Sequence, residues 1–134
     1  DISPVLLNTG KLPERSIYHH FPIYLQAYNS RRDDGRDPLF RTRPGSTIRN
    51  GNWKLHEYFE DGALELYNLS TDLGETNNVI RSYPDVAKEL HEALKNWRKE
   101  LNASVPTEPN LEFDPVAAAD FLIKSLNPKS KIEY

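Results

Sequence analysis

The chain has 134 residues, 28% of them charged, and a formal net charge of −3. No apolar run approaches the roughly 20 residues of a membrane-spanning helix, and a net-negative chain offers no global field for nucleic acid. Cysteine is absent, which excludes thiol catalysis, zinc–thiolate sites and disulfides within these residues.

Residues 1–16 read as loop, with a short apolar run at Pro4-Val5-Leu6-Leu7. The tract Ser16 to Tyr24, SIYHHFPIY, is rich in aromatic and branched residues and fits a strand. Pro22 ends that strand or places it on a sheet edge. Asn29 to Pro44 reads as a polar loop dense in Arg, Asp, Gly and Pro.

Thr47-Ile48-Arg49 then enters a hairpin. Asn50-Gly51 is a two-residue turn signal, because both central positions of a type I′ turn need positive φ. On the next strand Trp53, Leu55 and Phe59 share one face, and Lys54, His56 and Tyr58 share the other. Asp61-Gly62 marks a second turn, after which Leu64 and Leu66 alternate with Glu65 and Tyr67. Thr71 to Asn78 is a turn-rich connector. Ser82 and Asp85 have capping-box spacing, with Pro84 in the first turn. Val86, Ala87, Leu90, Ala93, Leu94, Trp97 and Leu101 then form one apolar stripe of an amphipathic helix. Asn102 to Pro115 reads as an extended, proline-bearing tail, and Pro115 to Leu126 as one more short helix.

A three-stranded meander cannot bury its apolar face alone, and the helix supplies a matching stripe. The expected fold is therefore α+β. A small antiparallel sheet of three to four strands, containing 46–49, 52–59 and 63–68, is packed by one long helix over 85–101. Leu94 and Trp97 are expected to lie against Trp53, Leu55 or Leu64.

The order of these motifs resembles the C-terminal region of type I, formylglycine-dependent sulfatases. The resemblance is carried by Asp1-Ile2-Ser3 with Leu6-Leu7, and by Arg15-Ser16-Ile17-Tyr18-His19-His20-Phe21-Pro22. It continues through Arg49, Gly51, Trp53-Lys54-Leu55, Glu65-Leu66-Tyr67-Asn68-Leu69, Gly74-Glu75, Asn77-Asn78 and the run Pro106 to Pro115. It covers roughly residues 1–115.

The resemblance implies an organisation. Residues 1–45 would be the tail of a catalytic domain and a connecting loop, 46–101 the C-terminal sheet-plus-helix subdomain, and 102–134 an extended tail. It implies hydrolysis of sulfate esters, of arylsulfatase type, by a parent protein that is periplasmic or secreted. In that family a formylglycine is made from Cys or Ser within C/S-x-P/A-x-R, and a calcium ion is held by Asp and Asn side chains. No such motif is present, and the calcium carboxylates belong to the part not included here. The chain opens at Asp1 without methionine or signal peptide. It is therefore expected to be a fragment that is inactive alone, supplying packing and part of a substrate-pocket wall. Its expected partners are its own catalytic domain and a sulfated glycan.

No catalytic residue or metal ligand is assigned within the chain. His20 matches the histidine of a family "HFP" segment, which implies a contact to a sugar hydroxyl or sulfate; the alternative is a hydrogen-bonded structural His. His19 replaces a family Trp and points to the opposite face, so the pair cannot share one metal. Ile23 stands where relatives often carry a further His.

Residues 31–49 hold six arginines against three aspartates. Arg forks suit sulfate oxygens, which makes Arg31, Arg32 and Arg36 candidate substrate contacts; a solvated loop of Arg–Asp pairs is the alternative. His56 and His91 read as isolated, solvated or partly packed residues. Asn68-Leu69-Ser70 and Asn102-Ala103-Ser104 are glycosylation sequons. Severed from a catalytic sheet, the strand at Ile17, Tyr18, Phe21 and Tyr24 is expected to expose apolar surface and to invite pairing with another chain. The rival functional reading is a stand-alone carbohydrate- or partner-binding α+β module.

Overall fold

The structure is a computed structural model. It describes residues 2–27 and 40–108, with isolated positions between 111 and 120. Six strands and two helices follow one another: α1 (Ser3–Leu6), β1 (Ile17–Phe21), β2 (Leu25–Ala27), β3 (Phe40–Thr42), β4 (Gly45–Asn50), β5 (Trp53–Tyr58), β6 (Leu64–Asn68) and α2 (Pro84–Glu100). β1, β4, β5 and β6 form an antiparallel sheet in that order, and β2 pairs with β3 separately. The fold is α+β, a four-stranded antiparallel sheet with one long helix across it.

Register decides which side chains meet. Tyr18, Ile48, Leu55 and Leu66 lie in one cross-strand row. Ile48, Leu55 and Leu66 are fully buried there beneath Ala87, Leu90 and Leu94 of α2. Period 2 on the strands and period 3.6 on the helix thus meet at one seam. Trp97 stacks on Tyr18 with centroids 4.7 Å apart and planes 4° from parallel. Trp53 instead meets Tyr83, at 4.9 Å.

Four local features differ from the sequence reading. The residues between β4 and β5 are Gly51 and Asn52, and only Gly51 has positive φ, 55°; that matches the II′ pattern, with glycine first, rather than I′. Tyr83, not Ser82, precedes α2 at the N-cap position, and it makes no side-chain cap bond. Pro84 opens the helix because its missing N–H would have had no partner there. Pro4 similarly starts α1 within a tract read as loop. Residues 40–42, read as polar loop, pair with 25–27 as β3.

The strand within 16–24 ends at Phe21, as Pro22 implied, and β1 pairs along its length with β4 at the sheet edge. The strand read as part of a catalytic-domain tail therefore completes the same sheet as 46–68, anchored by the Tyr18–Trp97 stack.

α2 stops in a paired closure. Asn102, at φ 50°, donates its N–H to Lys99 O, and Ala103 donates to Arg98 O. This is the Schellman arrangement with Asn in the left-handed position. It turns the following residues back toward β1.

Gly45 is a position of close approach. A Cβ there would lie 2.6 Å from the carbonyl oxygen of Glu57 on the neighbouring strand. Gly45→Ala is therefore expected to lower unfolding stability by about 1–3 kcal/mol through forced backbone displacement. Urea denaturation with unchanged m-value checks this; a wild-type midpoint would show that the strand yields freely.

Candidate functional site

The two adjacent histidines of β1 point to opposite faces of the sheet. His19 is exposed on the face away from α2. His20 lies on the helix side, where its Nδ1 is 2.7 Å from Ser46 Oγ and its Nε2 is 2.8 Å from the backbone carbonyl of Ser104. A carbonyl only accepts, so Nε2 carries a proton and donates to Ser104, while Nδ1 pairs with the Ser46 hydroxyl. His20 thus ties the chain leaving α2 to β1 and β4, and both of its ring nitrogens have partners.

The same cross-strand row continues from Ser46 to Glu57. Glu57 Oε2 lies 2.7 Å from Arg98 Nη1, and Oε1 lies 3.2 Å from His91 Nε2. Hydrogen bonding and charge from both basic side chains act on this carboxylate. Arg98 is buried, and its guanidinium sits 5.2 Å from the ring centre of Phe59, which in turn packs against His20 at 5.7 Å. Burial pushes the Glu57 carboxyl up, but Arg98 and His91 together outweigh it and hold the group below its ordinary value.

A second polar network covers the other face. Lys54 Nζ reaches Glu75 Oε1 at 2.5 Å, and His56 Nε2 reaches Glu75 Oε2 at 2.6 Å. The hydroxyls of Tyr58 and Tyr67 both donate to Glu65 Oε2, each at 3.1 Å. Glu75 adopts φ 55° in the connector, whose shape is fixed by Asp72, accepting from the N–H groups of Thr76 and Asn77. Burial and the neighbouring Lys54 charge lower the His56 pKa, so the neutral ring donates to Glu75. Burial raises Glu75, and the bonds and charges of Lys54 and His56 outweigh it. Burial beside Glu65 pushes the Tyr67 hydroxyl up to about 12.

The sequence reading treated His56 and His91 as isolated, overlooked Glu57 and Arg98, and placed Glu75 only within the Gly74-Glu75 connector motif. Arg98 carried a usable signal: it lies four residues after Leu94, on the apolar stripe, where a charge needs a buried partner. The partners of Glu75 were not legible, because its contacts depend on the path of the connector. Arg49 donates from Nε to the Gly51 carbonyl at 3.3 Å, closing over the turn. Arg31, Arg32 and Arg36 lie outside the described residues. Among the described residues, no group of three or more His, Asp or Glu side chains could hold a metal. No described helix is long and apolar enough to cross a membrane.

No family model matches the sequence. Over 100 residues it is 32% identical to a curated protein described as a sulfatase, from Formosa agariphila; the match covers 67% of this chain and 16% of that protein. A solved structure of a protein in complex with its substrate, D-glucosamine-2-N,6-O-disulfate, superposes over 81% of this chain and 21% of its own, with TM-score 0.55 and 24% identity. The likeness is to the C-terminal region of a sulfatase. It spans less than a quarter of either protein. The solved neighbour carries the same α+β arrangement of sheet and helix.

The pKa directions set an acid response. His56 titrates lower in the folded chain than in the unfolded one, so its stabilisation is present above about pH 6.5 and is lost as pH falls toward the folded value. Glu57 and Glu75 are likewise depressed, from 4.5. Their contribution is present above about 4.5 and disappears as pH falls through their lower folded values. The melting midpoint should therefore begin to fall below about pH 6.5 and drop more steeply below about 4.5. Glu75→Gln with Glu57→Gln should flatten the second limb while lowering stability at pH 7. A double variant whose acid limb parallels wild type would remove both carboxylates from the explanation.

Proposed function

We propose that this chain is the C-terminal subdomain of a sulfuric ester hydrolase of arylsulfatase type, whose substrate is a sulfated glycan. The observation that carries the reading is agreement at two levels. The chain is 32% identical to a sulfatase over 100 residues, and its fold superposes on a substrate-bound neighbour over 81% of its length. The neighbour's substrate, a disulfated glucosamine, supports the glycan class for this chain. In this reading the catalytic domain is the chain's partner and supplies the formylglycine and calcium. The residues present do not fit either group: the sequence holds no C/S-x-P/A-x-R motif, and among the described residues no cluster of three or more His, Asp or Glu side chains could hold a metal. The parent is periplasmic or secreted in the same reading.

The subdomain's contribution is positional. It presents β1 and the residues after α2 as one clasped unit, held by His20. The candidate substrate contacts are His20, His19, Arg31, Arg32 and Arg36. For His20 to serve, a ligand oxygen has to take the place of the Ser104 carbonyl at Nε2. The rival reading, a stand-alone carbohydrate- or partner-binding module, gains no specific support from the geometry, since both polar networks turn their donors and acceptors toward the protein itself.

Purified 134-residue chain should release no product from a chromogenic aryl sulfate above the buffer rate; turnover would overturn the assignment of the chemistry to another domain. In the parent, His20→Ala should lower kcat/KM for the natural glycan by about tenfold, equivalent to about 1.4 kcal/mol, and affect small aryl sulfates less. Equal losses on both substrates would mark His20 as a structural clasp alone.

A further inference from the structure

The chain leaving α2 is held differently from the rest of the unit. α2 closes with Asn102 at φ 50° and with Ala103 N–H donating to Arg98 O at 2.9 Å. Beyond that closure Pro106 has no N–H to offer and keeps Val105 out of the helical region. Among the described residues, 104–108 make no backbone–backbone hydrogen bond. One hydrogen bond ties them down, from His20 Nε2 to Ser104 C=O at 2.8 Å. Ser104, Pro106, Thr107 and Glu108 are exposed, and only Ala103 and Val105 are partly covered. A stretch with so few contacts opens at low cost compared with the core. The other half of the latch is fixed. Ser46, 2% exposed, meets His20 Nδ1 at 2.7 Å, and Phe59 packs against the ring at 5.7 Å. The Nε2–H therefore keeps its place whether or not the Ser104 carbonyl occupies it.

We propose that residues 103–108 are a strap, hinged at Asn102, that closes over His20 and competes with an acceptor oxygen of a sulfated sugar for Nε2–H. The inference rests on the reading of His20 as a ligand contact and adds its regulation. The Ser104 carbonyl stands where a ligand acceptor would stand, and a single N–H serves one acceptor well at a time. The closed strap is therefore an intramolecular competitor, and apparent affinity falls with the fraction of chains in which it is open. The hinge is one non-glycine residue in the left-handed region, where Asn is tolerated and a β-branched residue is strained. Residue 102 is not among the hydrogen-bond or ring partners of His20. It sets the ratio of open to closed strap without altering the donor.

The test uses the full 134-residue chain. Asn102→Gly keeps the left-handed closure, and Asn102→Val opposes it. In NMR relaxation of the backbone amides, His20→Ala and Asn102→Val should each raise the mobility of Thr107 and Glu108, and Asn102→Gly should leave it as in wild type. Unchanged near-ultraviolet circular dichroism would place the effect outside the core. The solved neighbour's substrate, D-glucosamine-2-N,6-O-disulfate, added at constant ionic strength, should shift the His20 Nε2 resonance and mobilise Thr107 together. Its apparent Kd should be several-fold tighter for Asn102→Val than for Asn102→Gly. Thr107 equally rigid in wild type and His20→Ala would overturn the strap and leave the ligand reading standing. A ligand-induced His20 shift with one Kd for both hinge variants would do the same. No His20 shift even in Asn102→Val would remove the ligand reading, and the competition with it.

Discussion

The fold depends on one apolar row, Tyr18–Ile48–Leu55–Leu66, being covered by one helix. Each residue comes from a different strand, and the register of three strand pairs places them side by side. Four strands spaced about 4.8 Å apart put the row across the sheet rather than along it. A helix of 17 residues, about 25 Å long, is long enough to span it. Leu90 and Leu94 fill the middle of the row, and Trp97 closes its β1 end through the stack on Tyr18. The stack joins α2 directly to β1, whose backbone is paired along its length with β4.

One step along the strands the chemistry changes. The row His20–Ser46–Glu57 is polar, and α2 answers with His91 and Arg98, which lie seven residues apart on the same helical face as Leu94. A buried ion pair is weak evidence for net stability, because desolvation offsets the attraction. Its consequence here is specificity. A one-residue slip of β1 would exchange His20 for a neighbour from the opposite face and leave Ser46 buried without its ring partner. The polar row therefore selects the register that the apolar row stabilises. The Phe59 ring packs against both His20 and the Arg98 guanidinium at that end of the seam.

What could be read from sequence follows from how local each signal is. The β4–β5–β6 meander and α2 were legible within a residue or two, because alternation, a glycine turn and an apolar helical stripe are short-range patterns. The sulfatase relationship was legible for a similar reason, since its motifs lie in order along the chain. The pairing of β1 with β4 was not legible, because more than twenty residues separate them and nothing in either strand names its partner. The ion pairs of His56 and His91 escaped for the same reason: each partner arrives from another element. At the turn after Asn50, the dipeptide announced a hairpin but not its type, which depended on the residue after the glycine.

The proton on His20 bears on any ligand that reaches this end of the sheet. Ser104 C=O can only accept, so it fixes the ring as a donor at Nε2, and the Ser46 hydroxyl then completes Nδ1. Ser46 is almost wholly buried and cannot turn to another partner without leaving the ring unsatisfied. The tautomer is therefore set from the protein side. An incoming group that displaces the Ser104 carbonyl meets a donor and has to offer an acceptor. The oxygens of a sulfate ester are acceptors only, and a sugar hydroxyl can accept while its own hydrogen goes elsewhere. An ammonium group cannot satisfy Nε2–H at all. The clasp to the chain after α2 is thus one hydrogen bond in which the ring is the donor.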